Sequence, residues 1–298
     1  MTEDTIRIMA SRHSAFYSPL LSTIAAGFLR EEGFESTYEV LAPGSDVQEL
    51  IRNVKINIAQ SAVSSSWARL EKNEGDLAVH FAQINQRDGF FLSGRSPDQS
   101  FDWKRLEGAS LLADHGAQPL AMLKYAVHLN GADWSKIKVI DAGDVEEIDA
   151  AFRNGMGDYV HQQGPAPQQL EREGIGHIVA SAGEATPPVA FSSLMASREF
   201  LKTDAAKAFI RAYARARQWV NQAPAEEVAD REAEFFPQTD REALTRTIAR
   251  YQAMGCWDGG LAITRERYEQ ALNVFLHSGK LSRRHPYEDV VVRPPEEL

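Results

Sequence analysis

Along roughly the first 195 residues, short apolar runs alternate with longer stretches whose apolar positions recur every three to four residues, a strand period giving way to a helix period and back. Ile6–Met9 predicts a strand, and Pro19–Glu31 predicts a helix that stops at Gly33, a residue suited to a C-cap. Thr37–Leu41 alternates as a strand does, and Asp46–Arg52 begins a helix for which Ser45 is the expected N-cap. Ile56–Ala59, Val79–Ile84 and Gly89–Leu92 predict further strands, with a helical Ser66–Glu71 among them. A second block repeats the plan, with Ser110–Ala113, Lys138–Ile140 and Tyr159–Val160 as strands and Gln118–Leu129 and Val145–Asn154 as helices. Beyond about residue 195 the strand period disappears, and Asp204–Asn221, Pro224–Phe235, Asp240–Met254 and Thr264–Ser278 all predict helices. Two such blocks and a helical tail imply an α/β fold of two lobes, each with a largely parallel sheet.

Composition narrows the function classes. A length of 298 residues allows one large domain or two ordinary ones, and a formal net charge of −10 repels nucleic-acid backbones and anionic membranes, so no nucleic-acid partner is expected. Cys256 is the single cysteine, which excludes an internal disulfide and a multi-cysteine metal site. Met1–Arg7 carries acidic residues where a secretory leader needs basic ones, and no stretch is apolar enough to span a bilayer. The expectation is a cytoplasmic protein as the sequence stands, or a periplasmic one whose leader was replaced by a start methionine. The chain has no phosphate-binding loop, dinucleotide fingerprint, HExxH, paired CxxC or GxSxG elbow, so neither a cofactor nor a metal is expected.

Candidate chemistry gathers where predicted strands end, because ligands of open α/β sheets bind beyond the carboxyl ends of the strands and near helix N-termini. Ser11–Ser18 offers the hydroxyls of Ser14 and Tyr17, the His13 imidazole and the Phe16 ring, or is a solvated loop. In Gln60–Trp67, Ser61 and Ser65 either face a ligand or cap the next helix. Asp114, His115, Gly116 and Gln118 form a third exit, where Gly116 permits close backbone approach. His161, in Val160–Pro165, lies at a fourth. Phe209, Tyr213 and Trp219 are spaced for core packing, Cys256 reads as buried filler, and Lys207, Arg211, Arg215 and Arg217 read as a solvated helix face.

Five stretches in order resemble the class-two solute-binding proteins of the sulfonate, nitrate and thiamine-precursor (NMT1/THI5-like) type. They are Ala26–Phe34, Gly44–Ile51, Asp102–Ala109, Asn154–Tyr159 and Ser197–Leu201. The resemblance implies a periplasmic-binding-protein-like fold of the second class, with lobe one formed by residues 1–91 and 193–298, lobe two by 92–192, crossovers near 90–93 and 189–194, and a ligand cleft between the lobes. It also implies a monomer that delivers its ligand to an ABC-type permease. The pyrimidine-precursor synthases of that family use a lysine and a histidine after the strand equivalent to Ile56–Ala59, where Ser61 and Ser65 stand here. Their cysteine-rich run is replaced by Pro188–Leu194, so their chemistry is not expected.

The expectation is therefore a binding module that captures a small organic ligand, such as a sulfonate, aromatic carboxylate or pyrimidine. Ser14, Tyr17, Ser61, Ser65, Asp114, His115, Gly116, Gln118, His161 and Ser192 are its polar contacts, and Phe16 and Phe191 its apolar walls. The rival is a cytoplasmic decarboxylase or lyase on the same fold, using His13, Asp114, His115 or His161 as acid or base.

Overall fold

The computed structural model describes residues 5–42, 44–75 and 77–295; Met1–Asp4, on which most of the leader argument rests, lie outside the described residues. The chain opens with β1 (Thr5–Ala10), a 3-10 turn at Ala15–Tyr17, α1 (Ser18–Ala25), α2 (Phe28–Glu31), β2 (Glu35–Val40), α3 (Val47–Arg52), β3 (Ile58–Ser61), α4 (Ser64–Leu70) and β4 (Val79–Asn85). It then continues through β5 (Phe90–Gly94), β6 (Ser110–Ala113), α5 (Ala117–Leu129), β7 (Lys138–Ile140), α6 (Val145–Arg153), β8 (Tyr159–Gln163), α7 (Ala166–Arg172), β9 (His177–Ser181) and α8 (Ala182–Ala185). After β10 (Ser192–Ala196) come the helices α9 (Asp204–Gln222), α10 (Ala225–Glu232), α11 (Arg241–Ala253), α12 (Arg265–His277) and α13 (Tyr287–Val290).

Two five-stranded sheets result, ordered β2-β1-β3-β10-β4 and β7-β6-β8-β5-β9. Each has three parallel strands followed by one antiparallel strand that has just crossed from the other lobe: β10 in the first sheet and β5 in the second. The inner strands β3 and β10 are buried along their length, as expected when helices cover both faces of a sheet; of the two edge strands β2 is largely exposed, whereas β4 is buried, with Val291 bridging to His80 on its outer side. The connections between lobes run side by side, since Val189 and Phe191 donate their backbone N–H to Gln86 and Asn85. Among the described residues no helix is long and apolar enough to cross a membrane.

Local chemistry corrects several expected boundaries. The helix expected over Pro19–Glu31 breaks at Gly27, whose φ of 82° is open to glycine at little cost, and so becomes α1 and α2. Asp46 rather than Ser45 caps α3, its carboxylate accepting from the N–H groups of Gln48 and Glu49. Strand β8 runs on to Gln163, past the expected end at Val160.

The helical tail locks the crossing. On α9, Phe209, Ile210, Tyr213, Ala216 and Val220 form a buried stripe against α1, each large side chain contributing about 1.5–3 kcal/mol by leaving water. Arg217, expected on a solvated face, is instead buried and donates to the carbonyls of Gln83, Ile84 and Asp258. Arg211 and Arg215 do face outward, paired with Glu32 and Glu31. From α11, Tyr251 accepts from the Gly164 N–H and donates to the Gly89 carbonyl, both at 2.8 Å. Gly89 presses on Phe16 so closely that a Cβ there would lie 2.5 Å from its ring.

Candidate functional site

The carboxyl ends of β1 and β3 meet those of β6 and β8 across the cleft, and side chains from the loops beyond them join the lobes. Arg12, just past β1, forms an ion pair with Asp114, just past β6. Ser14 caps the 3-10 turn through the Phe16 N–H and donates its hydroxyl to the Gly164 carbonyl at 2.6 Å. From α4, Ser64 donates to Gln118 in the first turn of α5, and Gln118 donates in turn to the Phe191 carbonyl at 2.7 Å. Asp114 also accepts the Gly116 N–H at 2.8 Å. Burial acts to raise the Asp114 carboxyl, but the guanidinium and this N–H hold it below the usual carboxylate range.

Beneath the ion pair, alternation along β8 turns His161 and Gln163 to one face while Gln162 points the other way, to Asp149 on α6. His161 is wholly buried, stacks on Phe90 with centroids 4.5 Å apart, and has no hydrogen-bond partner at either ring nitrogen among the described residues. Burial drives its imidazole down to about 3, so it is neutral. The Arg12 guanidinium lies 5.6 Å from the Phe90 ring centre. Tyr17 directs its hydroxyl at Ser192 and Gln163, and burial raises its phenol above the ordinary value. The approach does not satisfy the Gln163 carboxamide, whose Oε1 and Nε2 both lack a hydrogen bond of acceptable geometry. Behind Phe90, burial drives the Asp88 carboxyl up to about 8 although one oxygen accepts the Phe90 N–H at 2.8 Å.

Buried polar atoms are nearly always paired in folded proteins, and at this seam those of His161 and Gln163 have no hydrogen bond of acceptable geometry. Residues 16–227 match the family described as NMT1/THI5 like. The chain belongs to the NMT1/THI5-like family. It is 30% identical over 290 residues to the "Putative binding protein YtlA" of Bacillus subtilis (strain 168), covering 96% of this chain and 87% of that relative. Among solved structures, it superposes with a TM-score of 0.76 on the ligand-binding component of an ABC-type import system from Staphylococcus aureus, solved with zinc bound, at 14% identity over 99% of this chain and 98% of that one. The alkanesulfonate-binding protein SsuA from Xanthomonas axonopodis pv. citri, bound to MOPS, gives 0.73 at 13% identity over 98% and 99%. At such identities the two structures establish the two-lobed periplasmic-binding-protein fold.

In this NMT1/THI5-like chain, nine of the twelve expected contacts lie along the seam between the lobes. Ser14, Tyr17, Asp114, Gly116, Gln118, His161 and Ser192 surround it, and Phe191 is wedged between Phe16 and Phe90 at ring distances of 5.5 and 6.3 Å. Ser61 and Ser65 bond to each other at 3.0 Å, and Ser65 also lines an outer depression beside Asp46 and Arg69. His115 turns outward, its Nδ1 2.8 Å from the Ala113 carbonyl and 3.6 Å from Asp141. Arg12, Phe90 and Gln163 were not among the expected contacts. Arg12 is the one cation in the loop after β1, and Gln163 falls two residues after His161 on the same strand face, the signals by which both were legible.

The acid–base candidates are poorly disposed for proton transfer. Both His13 nitrogens are engaged, at 3.0 Å by the Tyr38 hydroxyl and at 2.7 Å by the Phe235 carbonyl, and the ring stacks on Phe236. His161 resists protonation, and Asp114 is tied to Arg12. Cys256 is buried, and its thiol is pushed up by that burial. Among the described residues no group of three or more His, Cys, Asp or Glu is placed to hold a metal ion.

Proposed function

We propose that this chain is a substrate-binding component of an ABC-type importer, capturing a small organic ligand between lobes of residues 1–91 with 193–298 and 92–192, with no covalent step. The observation that carries the reading is the buried, unpaired hydrogen-bonding capacity of His161 and Gln163 at the meeting of four strand ends. Hinge closure about the paired crossings would bring Ser14, Tyr17, Asp114 and Ser192 onto the ligand. The names of the relatives agree: a binding protein, an import-system component and an alkanesulfonate-binding protein. In this reading the protein works as a monomer and meets a membrane permease.

The test is a thermal screen of the purified protein against sulfonates, aromatic carboxylates, pyrimidines and other small polar compounds, with mass spectrometry of each mixture. A ligand present at one hundred times its dissociation constant stabilises the folded state by about 2.7 kcal/mol. The expected result is a shift with the compound recovered unchanged. A compound consumed with turnover would overturn capture without chemistry and return attention to Asp114 and His161.

A further inference from the structure

Outside the cleft, the tail helix α11 is fastened to the second lobe by a row of ion pairs. Glu242, Arg246 and Arg250 recur every four residues and so share one face of the helix. Opposite them stand Glu171 and Arg172 at the end of α7 and Glu184 on α8. Glu242 pairs with Arg172, Arg246 with Glu171 and Arg250 with Glu184. Asp240, the N-cap of α11, pairs with the same Arg172 at 2.8 Å, and its N–H donates to Gln169 of α7 at 3.1 Å. All of these charged side chains are 23–61% exposed, so salt reaches every pair.

The row has a direction. Its Arg250 end lies beside the crossings, since Arg87 on the first crossing donates to the carbonyl of Gly183, next to Glu184, at 3.1 Å. Its Asp240 end lies at the mouth of the cleft, where Thr239 and Gln169 line a cavity together with Arg12 and Ser14. From Glu242 to Arg250 the helix rises about 12 Å, so opening the lobes by about 10° around the crossings carries Arg172 about 2 Å from its partners and leaves Arg250 nearly in place. Bonds inside the cleft, such as that of Ser14 to Gly164, are the ones an entering ligand replaces, whereas these pairs lie off its path and act whatever the ligand is. We propose that the ion pairs between α11 and α7 are a salt-sensitive clasp that holds the lobes closed, with Arg172 at its moving end and Arg250 at its pivot. The inference rests on the hinge motion of the capture reading above and goes beyond it by assigning part of the control of closure to exposed charges of the tail.

Spin labels at Val40→Cys and Val145→Cys, exposed positions on the cleft-facing ends of β2 and α6, read the opening of the free protein by pulsed electron double resonance, and the native Cys256 is buried away from the label. The expected result is a longer inter-label distance that gains population between about 20 and about 500 mM salt. An exposed pair shifts an equilibrium about 1.4- to 5-fold, so at low salt Arg172→Gln, which loses two, should lower the closed-to-open ratio about 2- to 25-fold. Arg246→Gln should do less and Arg250→Gln least, while Arg172→Lys, which keeps the charge, should stay near the wild type. The salt series needs no substitution in the clasp, so a variant that folds poorly does not decide the matter. A distance distribution unmoved by both salt and Arg172→Gln overturns the clasp. So does an equal effect from all three glutamine variants, which would make the pairs general stabilisers of the tail without a moving end. Because no ligand is present, either result leaves capture itself to the thermal screen.

Discussion

Replacing Arg12 by methionine isolates the link across the cleft. The Asp114 side chain is 8% exposed and that of Arg12 22%, so the pair is neither a free surface bridge, worth at most about 1 kcal/mol, nor a fully dry one, whose breaking costs about 3–5 kcal/mol. Removing the guanidinium leaves the carboxylate with the Gly116 N–H as its hydrogen-bond partner, for an expected loss of about 2–3 kcal/mol at pH 7. Urea denaturation followed by tryptophan fluorescence reads this directly. The double variant Arg12→Met with Asp114→Leu should recover all but about 1 kcal/mol, because no charge is then stranded. The pH dependence has a definite sign. The folded-state value of Asp114 is depressed, so its contribution is present above the unfolded value near 3.9 and disappears as pH falls through the folded one. The gap between wild type and Arg12→Met should therefore close in acid. A loss under about 1 kcal/mol for the single variant, or a double variant as unstable as the two singles added, would refute the pair as a coupled link between the lobes.

Three further outcomes concern other buried groups. Tyr251→Phe strands the Gly164 N–H and the Gly89 carbonyl, and calorimetry should show a loss of about 2–4 kcal/mol; a neutral effect would mean that the tail does not clamp the crossing. Burial drives Glu232 up to about 8 against the hydroxyls of Ser22 and Ser18, so the unfolded chain ionises first and stability falls as pH rises from about 4.5 to about 8. Glu232→Gln should flatten urea midpoints across that window, and an unchanged slope would count against a neutral Glu232. Burial drives His80, held between Ser66 and Ser193, down to about 3, so wild-type stability should decline as pH falls from about 6.5 toward 3, more steeply than in His80→Asn.

The architecture was legible because strand and helix periods are strong over most of the chain, and Ser110–Ala113 and Lys138–Ile140 are strands at the expected residues. The site was legible as loops, since strand ends in α/β sheets converge whatever their sequence. Individual side chains were less so. Arg217 belongs to a run of cations that turns past solvent, and only the fold brings the Gln83 and Ile84 carbonyls to it. His13 looked like chemistry, yet α10 and the turn after it bring the Phe235 carbonyl, more than two hundred residues away in sequence, to its ring. Gln163 carries no charge; the strand period puts it on the face of His161, but only the fold shows that the neighbouring Tyr17 hydroxyl leaves its carboxamide without a hydrogen bond of acceptable geometry.

The position of β10 has a bearing on how the chain is made. Every strand of the second sheet lies between Phe90 and Ser181, an unbroken stretch, whereas in the first sheet β10 stands between β3 and β4 and is supplied only by Ser192–Ala196. During synthesis from the N-terminus, β4 emerges early but lacks its sheet partner until more than a hundred further residues have been added, by which time the inserted lobe is complete. The lobe begun second is thus the first able to finish, and the buried strand β4 must wait for it, a nascent edge exposed to mispairing until residue 196 leaves the ribosome.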